Sequence, residues 1–367
     1  VVAPGATATI SGSGLSLSTV TNSGALSFTN TAGTITLSGL SGPGTSTFAA
    51  GASVPGLAEG TVYFNGASAS VTTLGDAVVY LGAGTMLHLA NGTQTSGSIA
   101  GGGGLSKTVG GVLTLNGTNT YSGGTTLTSG TLSINSLSDT GQSSLGTNGT
   151  LVIYSSTLEY TGAGNGSTAR WSTGPSGLVT TEFRITESTG SLTMSSISHV
   201  AEGGGVVKKT GAGTLTLGGF VGFAPNKGFE SASVEGGTLV LAAGVDMSFW
   251  IFFGAITDVK EGGTLKFGSG AGNGQILRTG SFAMTGGTFD LNGNTQNQVP
   301  APTGSGTMMN SATGTTAVAR LTVSGSRAFS GNIVDGAGRL AVTLELGAGT
   351  LSLSGSNTYS GATTIGG

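Results

Sequence analysis

The chain has 367 residues, with 72 Gly, 7 Pro and no Cys, and 12 Lys and Arg against 15 Asp and Glu leave a net charge of −3. Charged residues make up 7%, where soluble domains carry about a quarter; twelve dispersed bases form no phosphate-binding stripe, so nucleic acid is not an expected partner. The lack of Cys excludes disulfide and thiolate–metal frameworks, Gly outside a three-residue period excludes collagen, and apolar residues recurring in phase exclude a disordered polar polymer.

At the start, Val1-Val2-Ala3-Pro4 has neither the basic opening nor the apolar stretch of a signal peptide, so the sequence reads as a mature or excised fragment. From Leu15, after Gly14, a comb of short apolar signatures begins. Gly-Thr is followed by an apolar residue at Ile35, Val62, Met86, Leu132, Leu151, Leu215, Leu239, Leu265, Phe289, Met308 and Leu351, with close variants at Leu113 and Leu192. Allowing one missed tooth in each of the two widest gaps, the comb divides into steps of about 22 residues, a solenoid period. Each tooth opens a period-two alternation, as in Thr131-Leu132-Ser133-Ile134, Gly213-Thr214-Leu215-Thr216-Leu217 and Thr264-Leu265-Lys266-Phe267. Alternation puts Leu on one side of a short strand and β-branched Thr on the other. Gly-rich turns separate the strands, and no stretch keeps helical apolar spacing without a Gly breaking it.

Equivalent strands at such intervals pair best when the chain coils and each strand lies about 4.8 Å from its counterpart one turn earlier. The expected fold is all-β: a right-handed parallel β-helix (β-solenoid) of about 16 rungs, single and elongated over 1–367, with irregular loop insertions near 160–185, 220–230 and 245–256. Propeller blades need about 40–50 residues, and Asn-Gly pairs occur once per step of the comb rather than at hairpin centres. The longest apolar run, 247–256, is too short to cross a bilayer.

Candidate chemistry is sparse. Gly101-Gly102-Gly103-Gly104-Leu105-Ser106-Lys107-Thr108 approaches a phosphate loop but has Ser where Gly precedes the Lys, and no helix follows. His88 and His199 lie 111 residues apart, about five turns, too far to share a catalytic triad. Lys107, Lys209 and Glu345 share one phase and read as solvated corners. Glu235 and Glu261, each before Gly-Gly-Thr-Leu, are expected side by side on adjacent turns, as stacked carboxylates for acid/base chemistry or a cation, or as two solvated turn residues. Phe249, Trp250, Phe252 and Phe253 form the strongest aromatic patch, either an interface or a local loop core with Phe220, Phe223 and Phe229. At the two ends, Val1 and Val2 complement Thr363, Thr364, Ile365, Gly366 and Gly367 as two halves of one turn, which points to self-association end to end or to one unit of a longer tandem array.

Two segments are near copies: 110–127, containing Asn119-Thr120-Tyr121-Ser122-Gly123-Gly124-Thr125-Thr126, and 347–365, containing Asn357-Thr358-Tyr359-Ser360-Gly361-Ala362-Thr363-Thr364. A third start, Lys209-Thr210-Gly211-Ala212-Gly213-Thr214-Leu215, loses the motif after Leu217. These residues resemble the passenger-associated repeat of bacterial autotransporters. The resemblance implies a secreted or surface-displayed β-helical passenger on a Gram-negative envelope, an adhesin or stalk without cofactors. The expected function is therefore structural or adhesive and non-catalytic, with filament-forming self-association and with glycans or host-surface ligands as partners. The alternatives are a β-helical polysaccharide lyase or hydrolase, against which the dispersal of the acids counts, and ice binding by outward Thr rows.

Overall fold

The Gly-corner and alternating-strand grammar of this chain builds turns that lie on one another. A computed structural model describes the chain apart from residues 30–31, 174–178, 196–204, 219–228, 244–252, 273–274, 277–279, 296–297 and 367. Among the described residues, every strand ladder is parallel, and the fold is a β-solenoid of about 14 turns, close to the 16 expected. Two units divide it: Val1–Gly162 with Gly166–Arg170, and Ala163–Asn165 with Trp171–Gly367.

In the first unit, one sheet stacks Thr7–Ile10, Ala25–Phe28, Thr45–Phe48, Thr61–Phe64, Val78–Leu81 and Ser98–Gly101 in that order. Register runs Thr7, Ala25, Thr45, Thr61, Val78, Ser98, so these turns are shorter than the average step of the comb. In-register stacking places like on like: the rings of Phe28, Phe48 and Phe64 lie 4.7 and 5.3 Å apart, all at most 1% exposed. The facing sheet stacks Thr34–Ser41, Gly51–Leu57, Ser68–Leu74 and Met86–Gln94. The last of these forks the sheet. Its first half pairs with Gly104–Lys107 and its second half with Val112–Leu115, and the two ladders continue separately.

In the second unit, one apolar column runs Leu192, Leu215, Leu239, Leu265, Phe289, Met308, Ile333, every member fully buried. This is the comb as expected, and Ile333 supplies the tooth missing between Met308 and Leu351. Elsewhere the comb splits. Ile35, Ala52, Ala69, Leu87, Leu105, Thr125 and Leu151 form one column, while Leu113, Leu132 and Leu158 form another. Val62 belongs to the first sheet, Met86 is half-buried beside the inward Leu87, and Leu351 stands opposite Arg327. The physical reason is that one turn holds more than one short strand, and any of them can open with a Gly corner. The signature marks a strand start, not a particular sheet.

The Gly load follows from the close approach of turns. Gly211 has φ of 74°, and a Cβ there would come within 2.2 Å of the Ile185 carbonyl oxygen. No side chain fits without moving the neighbouring turn.

Phe48→Ala removes the middle of the Phe28–Phe48–Phe64 stack and leaves a cavity between two turns. The expected cost is about 3–5 kcal/mol, read as a lowered urea midpoint with an unchanged slope.

Candidate binding surfaces

The polar residues of the repeat motif join successive turns. In the first copy, the Asn119 carboxamide oxygen accepts the Ile99 backbone N–H (2.7 Å) and its amide donates to the Ser144 carbonyl (2.7 Å), so one buried side chain ties the turn before to the turn after. In the second copy, Asn357 accepts the Ile333 N–H in the same way (2.9 Å). Two residues on, Tyr121 and Tyr359 each bond the Thr four positions further, Thr125 and Thr363, at 2.6 Å. Burial raises the Tyr121 pKa strongly, so its hydroxyl stays neutral and bonded. The motif is a staple between turns.

The lysines that open the motif correct the expectation of solvated corners. Lys107 and Lys209 are both 0% exposed. The Lys209 ammonium donates to the carbonyls of Thr210 (2.7 Å), Gly211 (2.8 Å) and Gly236 (3.1 Å). That of Lys107 donates to the carbonyls of Ala90, Val109 and Gly110. At a Gly corner the strand ladder ends and leaves carbonyls without partners, and a Lys with three donors fills that need. Burial lowers both pKa values, that of Lys209 to about 8. This cage also disposes of the phosphate-loop likeness, since Lys107 points into carbonyls and Gly104–Lys107 is a buried strand. Glu345 is partly exposed and accepts from Gln298 (2.8 Å) and Arg320 (3.3 Å).

Glu235 and Glu261 do not stack. Val234 pairs with Val259 and Gly237 with Gly263, so two residues of one turn face three of the next. The extra residue brings Lys260 opposite Glu235. The Glu235 carboxylate is held by Lys260 and Lys208, both at 2.9 Å, while Glu261 is exposed. The Lys260 bond, then the Lys208 bond, lower the Glu235 pKa. Like charges one strand spacing apart are unfavourable, and alternation of sign resolves this.

Of the aromatic patch, Phe249, Trp250 and Phe252 lie outside the described residues, as do Phe220, Phe223 and His199. Phe253 is fully buried and stacks on Phe229 at 5.5 Å, so it belongs to a core column and not to an exposed patch. His88 lines a shallow groove of about 190 Å³ with Ser70, Thr72 and Val109, its register partners being Ser70 and Ser106. Val2 is buried and bridges Asn22 of the following turn, whereas Val1 is fully exposed. Thr363, Thr364, Ile365 and Gly366 pair with 342–345 and are exposed, Ile365 at 67%. Gly367 lies outside the described residues. Among the described residues, no group of three or more His, Asp or Glu is placed to hold a metal ion.

Sequence reading missed one feature. On the outward side of the six-strand sheet, Tyr63 and Tyr80 stack with ring centroids 4.6 Å apart and planes within 9°, and Tyr80 is 38% exposed. The signal was present: Thr61-Val62-Tyr63-Phe64 and Val78-Val79-Tyr80-Leu81 share one alternation, which sends Phe64 and Leu81 inward and both Tyr outward.

The sequence is similar to those of known proteins. The family model described as passenger-associated-transport-repeat matches residues 105–134 and 346–367, the two staple copies. An adhesin, the BmaC autotransporter of Brucella suis biovar 1 (strain 1330), is 31% identical over 298 residues, 78% of this chain. The match covers 7% of that relative's length, so the chain spans a small part of it. No solved structure matches.

Two outcomes are expected. The folded chain holds the Lys209 proton more weakly than the unfolded chain does, so stability rises as pH climbs from about 8 toward the ordinary lysine value of 10.5. In Lys209→Met that contribution to the slope is absent, which paired urea titrations across this range would read. An NMR titration of Glu235 is expected to give a pKa below the ordinary 4.5, moving up toward it in Lys260→Ala.

Proposed function

Because this chain is an autotransporter passenger built on passenger-associated-transport repeats, we propose that it works as an adhesive scaffold and not as a catalyst. Passengers of this kind are carried to the outer surface of Gram-negative bacteria, and that is where this segment acts. The similarity to a protein named as an adhesin, extending over 78% of the chain, carries the reading. A solenoid suits the task, since each added turn extends a patterned surface without needing a new core.

Self-association is the second part of the proposal. In it, the Thr363–Gly366 strand of one copy pairs with the Val1–Val2 turn of the next, and head-to-tail pairing of this kind propagates without closing. Host-surface ligands and glycans are the partners the adhesive reading calls for.

Beads bearing the purified chain are expected to attach to host-cell or glycan-coated surfaces above the level of uncoated beads, and equal attachment would overturn the adhesive reading. Sedimentation velocity separately reads assembly. A species that stays monomeric as concentration rises would remove the filament part while leaving adhesion standing.

A further inference from the structure

We propose that the outward face of the six-strand sheet binds a neutral glycan, with the Tyr80 ring as the platform on which a pyranose packs and Tyr63 as its support. This rests on the adhesive reading above and assigns a place and a ligand class to it.

Charge comes first. The six strands read Thr-Ala-Thr-Ile, Ala-Leu-Ser-Phe, Thr-Ser-Thr-Phe, Thr-Val-Tyr-Phe, Val-Val-Tyr-Leu and Ser-Ile-Ala-Gly, with no Asp, Glu, Lys, Arg or His. The carboxylates of the adjoining turns are already engaged. Glu59 accepts the Gly42 N–H (3.1 Å), and Asp76 accepts the Thr95 N–H (2.6 Å), the Thr95 hydroxyl (2.7 Å) and the Ser96 N–H (2.9 Å). A polyanion laid here finds no opposite charge and loses hydration. A neutral polyol loses nothing of the kind and finds hydroxyls instead, with Thr45 and Thr61 in one outward row and Thr47 in the next.

Shape comes second. Register runs Thr47, Tyr63, Tyr80, Ala100 along successive turns. The two rings are nearly parallel at 4.6 Å, close to the strand spacing of about 4.8 Å. Their flat faces therefore look along the stack of turns. One face of Tyr80 is covered by Tyr63. The other looks over Ala100, whose methyl group is too short to cover it. The result is a step with an aromatic wall, an Ala100 floor and the Ser98 hydroxyl in the adjacent outward row. A pyranose carries hydroxyls on its rim and C–H groups on its face. The C–H face suits the electron-rich face of the ring, and the rim hydroxyls suit Ser and Thr. Stacking on Tyr63 fixes the Tyr80 ring before the ligand arrives, which lowers the ordering cost of binding.

The test uses the purified 367-residue chain and a panel of neutral hexasaccharides built from glucose, galactose, mannose and N-acetylglucosamine, with a galacturonate hexamer as the charged control. Calorimetric titration is expected to show saturable binding of at least one neutral member and weaker binding of the galacturonate. Tyr80→Ala is expected to weaken that binding roughly tenfold or more, as truncation of a central aromatic anchor does. Tyr80→Phe, which keeps the ring, is expected to bind nearly as the parent does. Both variants should keep the parent's circular dichroism; Tyr80→Phe should keep its urea midpoint, and Tyr80→Ala should lower it only slightly, through loss of the stack on Tyr63. No saturable binding across the neutral panel, tighter binding of the galacturonate, or a Tyr80→Ala variant that binds as the parent does would each overturn the site. The bead assay keeps the two readings apart. Beads of Tyr80→Ala that attach as well as the parent refute this site and leave adhesion intact, whereas parent beads that fail to attach remove the adhesive reading whatever the titration shows.

Discussion

Parallel, in-register stacking at about 4.8 Å governs this molecule. Once a turn is laid on the one before, each side chain inherits a neighbour at a fixed and short distance, and the sequence has to satisfy that neighbour. Apolar residues do so by repeating. The Phe28–Phe48–Phe64 stack and the column from Leu192 to Ile333 bury the same kind of atoms on the same kind of atoms, turn after turn. Aromatic pairs gain about 0.5–1.5 kcal/mol beyond their buried area, so a repeated ring is a favourable solution.

Charges cannot repeat in this way. One strand spacing brings like charges together, and the chain avoids this by alternation, as in Lys208–Glu235–Lys260, or by withdrawing the charge inside, as at Lys107 and Lys209. The same rule accounts for a charged fraction of 7%. The outward faces are left to Thr and Ser, which repeat without penalty, and to an occasional exposed aromatic. A passenger segment so built has a surface of hydroxyls with few charges.

The corners obey the complementary constraint. Backbone groups released from the ladders at each turn are buried by the next turn and must be paired. Asn119 and Asn357 pair them with a carboxamide, Lys107 and Lys209 with an ammonium, and Asp290 with a buried carboxylate that accepts the Asn292 and Ser311 N–H groups. The buried Asn, Lys and Asp side chains are in large part the hardware of these corners.

Period-two alternation, Gly at corners and the step of the comb made the parallel solenoid legible, because strand periodicity and turn chemistry are local properties of the chain. The Asn-Thr-Tyr-Ser-Gly copies made the family legible for the same reason. Registry between turns is not local. A single extra residue between Val259 and Gly263 put Lys260, not Glu261, opposite Glu235, and a fork at Met86–Gln94 sent Leu132 and Leu151 into different columns. Burial of Lys209 depended on the Gly236 carbonyl of the following turn, and the pairing of Tyr63 with Tyr80 on a turn of 17 residues, shorter than the mean. The sequence by itself determined which residues make strands and which make corners; the tertiary structure alone decided which residues meet, because loops of unequal length set the phase between one turn and the next.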